Sequence, residues 1–284
     1  MKKKIRLRDG TIVDNMGIGT WYMGEDKDEE KNEIKSIKYA IENGIKLIDT
    51  AEMYGNGMSE ILVGKAIKEY DRDKIFLVSK VLPQHANEKN IFNACHNSLK
   101  RLNTDFLDLY LLHWRGIYAF EETFQAMEKL KQEGKIKRWG VSNMDIDDML
   151  EIVNTPFGDK CQVNQVLYHL GSRGIEYSLK KFTDSKNIAT MAYCPLAQGG
   201  RLKNKLLSSV VVQEIAKKYN ITSMQVLLAF VLSQENMIAI PKAAKLSHMK
   251  ENIQCLDIKL RADDLKLLDK AFPAPKYKQP LDIE

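Results

Sequence analysis

The sequence lacks the features that mark membrane, secreted and metal-binding proteins. No run of about 18 apolar residues occurs in it, and no secretory apolar stretch follows the basic amino terminus. No Cys-x-x-Cys pair is present among the four widely spaced cysteines, Cys95, Cys161, Cys194 and Cys255. We therefore expect a cytoplasmic protein without membrane contact, with buried free thiols and with neither a zinc site nor a disulfide framework.

The sequence also lacks a large excess of charge of either sign. The formal net charge is +5, from 43 Lys and Arg against 38 Asp and Glu, and only Lys2-Lys3-Lys4 forms a short run. So small and dispersed an excess does not favour nucleic acid, although it is compatible with an anionic small ligand. The 44% hydrophobic and 29% charged residues are typical of a globular protein.

Short apolar segments alternate with helical patterns along the chain. A hairpin is predicted over residues 4–14, around Asp9-Gly10. Helices with one apolar face are predicted at 90–102 and 119–133, among others. Eight strands are predicted at 16–21, 46–49, 74–80, 105–113, 135–142, 161–166, 188–193 and 237–242.

Eight strand–helix units predict one α/β domain over residues 1–284, a (β/α)8 TIM barrel with an N-terminal β-hairpin. Closure leaves no sheet edge, and the 284 residues fit the usual length of about 250 for this fold. Two extra helices are expected outside the barrel, at about 207–219 and 262–271. The alternative is an open doubly wound sheet, but no G-x-G-x-x-G follows the first strand.

Polar residues stand at nearly every predicted strand end, where the active face of such a barrel lies. Singly, each has an ordinary explanation as a helix cap, a turn residue, a solvated lysine or a core histidine. Together in one mouth they would need mutual hydrogen bonds or a ligand. They are Asp49, Lys80, His113, Ser142, Asn143, Gln165, Tyr193 and Lys242.

A family resemblance rests on seven motifs in order between residues 44 and 252. The chain resembles the aldo-keto reductase family, and within it the bacterial reductases of methylglyoxal and other small aldehydes. Each motif falls at a predicted strand end, and the coverage is nearly the whole chain. The motifs read "GIKLIDTAEMYGNGMSEILVGKAIK", "FLVSKV", "LDLYLLHW", "WGVSNM", "VNQVLYH", "MAYCPLAQGG" and "IPKAAKLSHMKEN".

The resemblance implies a catalytic tetrad of Asp49, Tyr54, Lys80 and His113. Tyr54 would protonate the oxygen of a carbonyl that receives hydride. We expect Lys80 to lower the Tyr54 pKa from its usual value of about 10, and Asp49 to keep Lys80 charged and oriented. His113 would hydrogen-bond the carbonyl oxygen.

The resemblance also implies NADPH as the cofactor. Tyr193 would stack on the nicotinamide, and the loop 196–200 would approach the pyrophosphate. His248 replaces an arginine found in many NADPH-preferring members, and Ala243 replaces a hydroxyl residue, so NADPH should be preferred over NADH by a reduced margin. The implied cofactor residues are Gly19, Thr20, Trp21, Ser142, Asn143, Gln165, Tyr193, Pro195, Leu196, Gln198, Gly199, Ile240, Lys242, Ala243, His248, Glu251 and Asn252.

Trp21, Tyr54, His113 and Trp114 are expected to form the substrate pocket. The short connection after Trp114 favours small aldehydes and dicarbonyls over bulky substrates. Two alternatives stay open: an alcohol or polyol dehydrogenase working oxidatively, and a non-catalytic nucleotide-sensing protein. We expect a monomer, with the proline-rich tail from residue 272 onward extended across the barrel mouth.

Overall fold

The computed structural model describes residues 3–283 and begins with the predicted hairpin. Its two strands are β1 (Lys4–Arg6) and β2 (Ile12–Asp14), paired antiparallel. The next eight strands form one parallel sheet in sequence order. They are β3 (Gly17–Gly19), β4 (Leu47–Asp49), β5 (Phe76–Val81), β6 (Leu109–Leu112), β7 (Trp139–Ser142), β8 (Val163–Leu167), β9 (Ala189–Tyr193) and β10 (Met237–Ala239).

The sheet closes on itself through its first and last strands. Parallel bridges join Met16 to Ala239 and Gly19 to Lys242, and the Gly19 amide donates to the Pro241 carbonyl at 3.2 Å. The predicted eighth strand therefore ends its regular pairing at Ala239, although residues up to Lys242 still contact the first strand. The (β/α)8 prediction is confirmed, and the open doubly wound alternative is wrong.

Helices follow the strands as the periodicity predicted. In the helix at residues 120–132, Phe120, Phe124, Met127 and Leu130 are all buried, each worth about 1.5–3 kcal/mol of transfer free energy. The chain leaves that helix through Gly134 at φ +72°. The helices are α1 (Glu30–Glu42), α2 (Met58–Ile67), α3 (Ile91–Leu102), α4 (Phe120–Gln132), α5 (Ile146–Asn154), α6 (Leu179–Ser185), α7 (Gly200–Leu207), α8 (Val210–Tyr219), α9 (Ser223–Ser233), α10 (Leu246–Gln254) and α11 (Ala262–Ala271).

Both predicted extra helices are present, as α8 and α11. The short helix α7, which begins within the Gly-rich loop after β9, was not separated from it in the sequence. Among residues 3–283, no helix has the length and apolarity that crossing a bilayer requires.

The barrel interior has its own apolar core. Successive residues of a strand face opposite sides of a sheet, so every second residue of each strand points inward. Leu47, Val78, Leu109, Val163 and Met191 belong to this inner cluster. The apolar face of the hairpin packs on the same cluster through Ile5, Leu7 and Val13 and covers the amino-terminal end of the barrel.

The tail runs along one side of the barrel mouth. Lys278 pairs with Asp145 after β7, and Ser172 after β8 donates a hydrogen bond to Asp282. Residues 272–283 do not line the central cavity. The tail therefore lies at the rim of the mouth and not, as had been predicted, across it.

Candidate active site

The inward-facing rows of side chains change from apolar to polar near the mouth. Asp49 lies two residues beyond Leu47, and Lys80 lies two beyond Val78. Gln165 stands in the same relation to Val163. A period of two therefore carries each polar side chain to the top of the row whose lower members form the inner core.

Lys80 is the centre of the candidate active site. Its ammonium donates to Asp49 Oδ2 at 2.8 Å, to the Thr50 carbonyl at 2.9 Å and to the Tyr54 hydroxyl oxygen at 2.9 Å. The Lys80 side chain has no exposed surface and that of Asp49 has 2%. All three donor positions of the ammonium are therefore satisfied inside the barrel.

Asp49 is satisfied at both carboxylate oxygens. Lys80 occupies Oδ2, and Gln165 Nε2 donates to Oδ1 at 2.7 Å from across the barrel. Burial raises the Asp49 pKa, while the Lys80 charge acts in the opposite direction. Burial likewise lowers the Lys80 pKa, and Asp49 opposes that shift. Each charge thus offsets the desolvation of the other.

Tyr54 reaches Lys80 through a tight left-handed turn. The residues after it have positive φ: 55° at Gly55, 52° at Asn56 and 88° at Gly57. Helix α2 then begins at Met58. Glycine adopts such φ values without the strain that a Cβ causes, and asparagine with little, so this sequence permits the reversal that returns the hydroxyl over the mouth.

Burial raises the Tyr54 pKa well above its usual value, and the Asp49 carboxylate adds to the rise. This direction is the reverse of the lowering that we predicted from Lys80. The sequence argument weighed the neighbouring charge and left out desolvation, which is the larger cause. Tyr54 is consequently a neutral hydroxyl that can give a proton.

His113 and Trp21 both lie near the Tyr54 ring. The His113 ring meets the Tyr54 ring edge-on at 5.9 Å between centroids. Burial, with a smaller effect of Lys80, lowers the His113 pKa to about 2, so the imidazole is neutral. Its Nδ1 is buried without a hydrogen-bond partner among the described residues, which leaves Nε2 as the nitrogen available to a ligand.

A cavity of about 510 Å³ opens above these groups. Asp49, Tyr54 and His113 line it, whereas Lys80 lies beneath its surface. Most residues expected to contact the cofactor also line it. They are Gly19, Thr20, Trp21, Ser142, Asn143, Gln165, Tyr193, Pro195, Leu196, Gln198, Ile240, Lys242, His248, Glu251 and Asn252.

Three expected residues do not line the cavity. Ala243 is 1% exposed, and its carbonyl accepts a hydrogen bond from Ser36. Gly199 lies outside the cavity, and a Cβ built on it would have no neighbour within 4 Å. Trp114, expected in the substrate pocket, is 36% exposed outside the cavity, with its ring 4.7 Å from that of His113.

The donor set of the cavity fits a phosphorylated dinucleotide. Tyr193 offers an aromatic ring and donates its hydroxyl to Asn143 Oδ1 at 2.9 Å, while Ser142 donates to the Gln165 carbonyl at 2.9 Å. The first bond holds the Asn143 amide, and the second holds the backbone of β8 at Gln165. Lys242, exposed at the other side of the mouth, donates to the Tyr22 carbonyl at 3.3 Å and is a cation available to phosphate.

Several lining residues were missed in the sequence. A capping box of Thr222 and Gln225 begins α9 and was readable as a T-x-x-Q pattern, but nothing in the pattern shows which way that helix end faces. Lys203 was hidden because α7 itself was not predicted. The missed residues are Tyr22, Met53, Cys194, Lys203, Met224, Gln225 and Pro241, whereas Ala197 belongs to the loop 196–200 that was expected near the pyrophosphate.

One of the four cysteines is not buried as expected. Cys95, Cys161 and Cys255 are buried as predicted, but Cys194 is only partly buried and lines the cavity. Among residues 3–283, no group of three or more histidine, cysteine, aspartate or glutamate side chains could hold a metal ion.

Comparisons with known proteins agree with this architecture. A family model described as "Aldo/keto reductase family" matches residues 15–272. The methylglyoxal reductase YeaE of Escherichia coli is 52% identical over 282 residues, which cover 99% of each chain. The glyoxal reductase of Bacillus subtilis is 35% identical over 272 residues, covering 95% of this chain and 92% of the relative.

Solved structures give the same result. An aldo/keto reductase from Klebsiella pneumoniae, crystallised with NADP and acetate, superimposes with a TM-score of 0.97 at 47% identity, and each chain is covered completely. A second structure from Klebsiella pneumoniae, in complex with NADPH, matches with the same score and identity.

Proposed function

The chain belongs to the aldo/keto reductase family, and from that premise we propose that it is an NADPH-dependent carbonyl reductase of small aldehydes and dicarbonyls such as methylglyoxal. The observation that carries the proposal is the bond pattern of Lys80, whose ammonium contacts the Asp49 carboxylate and the Tyr54 hydroxyl at once. A neutral buried phenol held by a buried ammonium is an acid prepared for proton donation.

Tyr54 is the proposed general acid. When bound, a reduced nicotinamide supplies hydride to the carbonyl carbon, and negative charge develops on the carbonyl oxygen. Tyr54 gives its proton to that oxygen, and the Lys80 ammonium at 2.9 Å stabilises the phenolate that remains. The raised Tyr54 pKa makes this stabilisation necessary, because an unassisted phenolate in a buried site is unfavourable.

His113 is the proposed orienting group. With a pKa of about 2 it stays neutral at physiological pH and adds no positive charge beside Lys80. Its Nε2 can hydrogen-bond the carbonyl oxygen and hold it near the Tyr54 hydroxyl. Asp49 acts one step further away, since it holds Lys80 in place, and Gln165 in turn holds Asp49.

The proposed cofactor preference follows from the basic residues that line the cavity. Lys203, Lys242 and His248 line the same cavity as Glu251 and Asn252. Lysine contacts a phosphate as a point charge, without the two parallel bonds of arginine. We therefore expect NADPH to be used in preference to NADH, by a margin that His248→Arg would widen.

Small substrates are proposed on two grounds. Trp21, Tyr54 and His113 present rings to the cavity, with 6.3 Å between the centroids of the first two. The relatives named above are reductases of methylglyoxal and glyoxal. All four tetrad residues lie within one chain, so the proposed site would be complete in the expected monomer.

The test is NADPH consumption by the purified protein with methylglyoxal, glyoxal, simple aldehydes, sugars and ketones. We expect the highest kcat/KM with the dicarbonyls or short aldehydes. More efficient NADP+ reduction with alcohols or polyols would favour the dehydrogenase alternative instead. NADPH binding without any turnover would favour a nucleotide sensor and refute the proposal.

The role of Tyr54 is tested by Tyr54→Phe. We expect kcat to fall by about a hundredfold or more, the usual size of a lost acid, with the NADPH Kd nearly unchanged. Tyr168→Phe is the matched control, because that buried hydroxyl donates to Glu176 at 2.7 Å outside the cavity. A Tyr54→Phe enzyme as fast as the control would remove Tyr54 from the acid role.

A further inference from the structure

A second buried carboxylate lies behind the tetrad, outside the cavity. Glu60, in the first turn of α2, is fully buried. The Ser79 hydroxyl donates to its Oε1 at 2.5 Å, and Arg101 Nε donates to its Oε2 at 2.6 Å. A buried ion pair of this kind is weak evidence for stability alone, since well-packed apolar residues often do as well.

Ser79 connects this pair to Lys80. The two residues are neighbours in β5, where alternation turns Lys80 inward to the tetrad and Ser79 outward to α2. The bond from Ser79 to Glu60 therefore fixes the outer face of the strand at the level where Lys80 leaves it. Asp49 holds the lysine from inside the barrel, and Glu60 holds the side chain of its neighbour Ser79 from outside.

Arg101, the partner of Glu60, also contacts the turn that carries Tyr54. The arginine lies near the end of α3 and extends along α2 to Glu60. A Cβ built on Gly57 would lie 2.5 Å from Arg101 Cδ and 2.6 Å from its Nε. The side chain therefore packs directly against the backbone of the turn Tyr54–Gly57, at a position where φ is +88°.

We propose that Glu60 and Arg101 are positioning residues, whose ion pair clamps the Lys80 strand to the Tyr54 turn and so sets the 2.9 Å contact between the Lys80 ammonium and the Tyr54 oxygen. The inference rests on the proposed function, because its effect is on proton donation by Tyr54. Neither residue lines the cavity, so cofactor and substrate binding do not depend on them directly.

The charges around Lys80 support this arrangement. Asp49 and Glu60 both raise the Lys80 pKa against the lowering by burial. Tyr54 accepts a hydrogen bond from Lys80, and Lys80 in turn contributes to the lowered His113 pKa. Arg101 is the ion-pair partner of Glu60 at a fully buried position, with Nε 2.6 Å from Oε2.

The experiment compares Arg101→Met with Arg72→Met. Arg72 is a matched control because it also forms a partly buried ion pair, with Asp108 at 2.9 Å. That pair lies at the starts of β5 and β6, at the opposite end of the barrel from the tetrad. For each variant we would measure kcat and KM with the best aldehyde, NADPH Kd by fluorescence, and unfolding in urea.

We expect Arg101→Met to lower kcat at least tenfold, since small displacements of a reacting group cost up to about a hundredfold. Its NADPH Kd should stay within about twofold of the wild type, and Arg72→Met should keep a wild-type kcat. Equal kcat values for the two variants would overturn the inference. A wild type without turnover refutes the proposed function instead.

Ser79→Ala keeps the test decisive if Arg101→Met fails to fold. It removes one hydroxyl and its bond to Glu60 while the ion pair remains. We expect kcat to fall at least threefold with NADPH Kd unchanged. A kcat equal to that of the wild type would show that the clamp does not act on Lys80, and would overturn the inference.

Discussion

The pairing of Asp49 with Lys80 can be tested by a double-mutant cycle. The Asp49→Asn substitution keeps the shape of the side chain but leaves it with one oxygen and one amino group. The aspartate accepts from two donors, Lys80 Nζ and Gln165 Nε2, so the substituted amide must turn its amino group toward one of them. The Lys80 ammonium, which has no exposed surface, also loses its counter-ion.

Breaking a buried pair in this way costs about 3–5 kcal/mol of unfolding free energy. For a chain of this size that corresponds to a fall of roughly 10 °C in Tm. Lys80→Met should cost a similar amount, because it leaves the Asp49 carboxylate buried and unpaired. The double variant removes both charges, and methionine fills much of the space of the lysine stem, so it should lose at least about 2 kcal/mol less than the sum of the singles.

The assay is urea unfolding followed by circular dichroism, without cofactor, since bound NADPH would add its own stabilisation. Turnover is measured on the same samples. We expect the double variant to regain stability but no activity, which separates the structural role of the pair from its catalytic role. Additive losses of stability would refute the reasoning that each charge offsets the burial of the other.

Three further predictions follow from the same contacts. A folded-state His113 pKa of about 2 lies below the ordinary 6.5, so the unfolded chain takes up the proton first and stability falls as pH drops below 6.5. Between pH 6.5 and 5, the free energy of unfolding in urea should fall by about 1.5–2 kcal/mol less for His113→Asn than for the wild type. Equal falls in the two proteins would contradict a buried neutral ring. In steady-state assays at fixed salt, Lys242→Met should raise the KM for NADPH about tenfold and leave the KM for NADH unchanged. An equal rise in both KM values would exclude a contact between Lys242 and the phosphate. Gly158→Ala should cost at least about 2 kcal/mol in thermal unfolding, because its Cβ would lie 1.7 Å from the Ile152 carbonyl oxygen, whereas Gly199→Ala, in open space, should be neutral.

The set of four tetrad residues was implied by the family resemblance, and the placement of two of them, Asp49 and Lys80, also follows from the strand period. Asp49 and Lys80 end apolar segments, and alternation places each above an inner-core residue, so their meeting follows from strand order alone. The Tyr54 pKa did not follow, because desolvation depends on how completely the site is covered. Glu60 and Arg101 were not predicted either, since their contact joins two helices separated by a strand and depends on the tilt of both.

The backbone conformation of the cavity rim is the feature least predictable from the sequence. Apart from glycine and asparagine, the described residues with positive φ are Tyr22, Phe157, Cys194 and Ala197, and three of these four line the cavity. Tyrosine, phenylalanine, cysteine and alanine do not predict a left-handed backbone conformation. That conformation costs each of them about 1–3 kcal/mol. Such strain persists only where a rigid surround enforces it, and here the loops that carry it leave the first and seventh barrel strands directly. The barrel therefore contributes more than a scaffold for the tetrad, because its stability holds the cavity rim in conformations that the loops would not adopt alone.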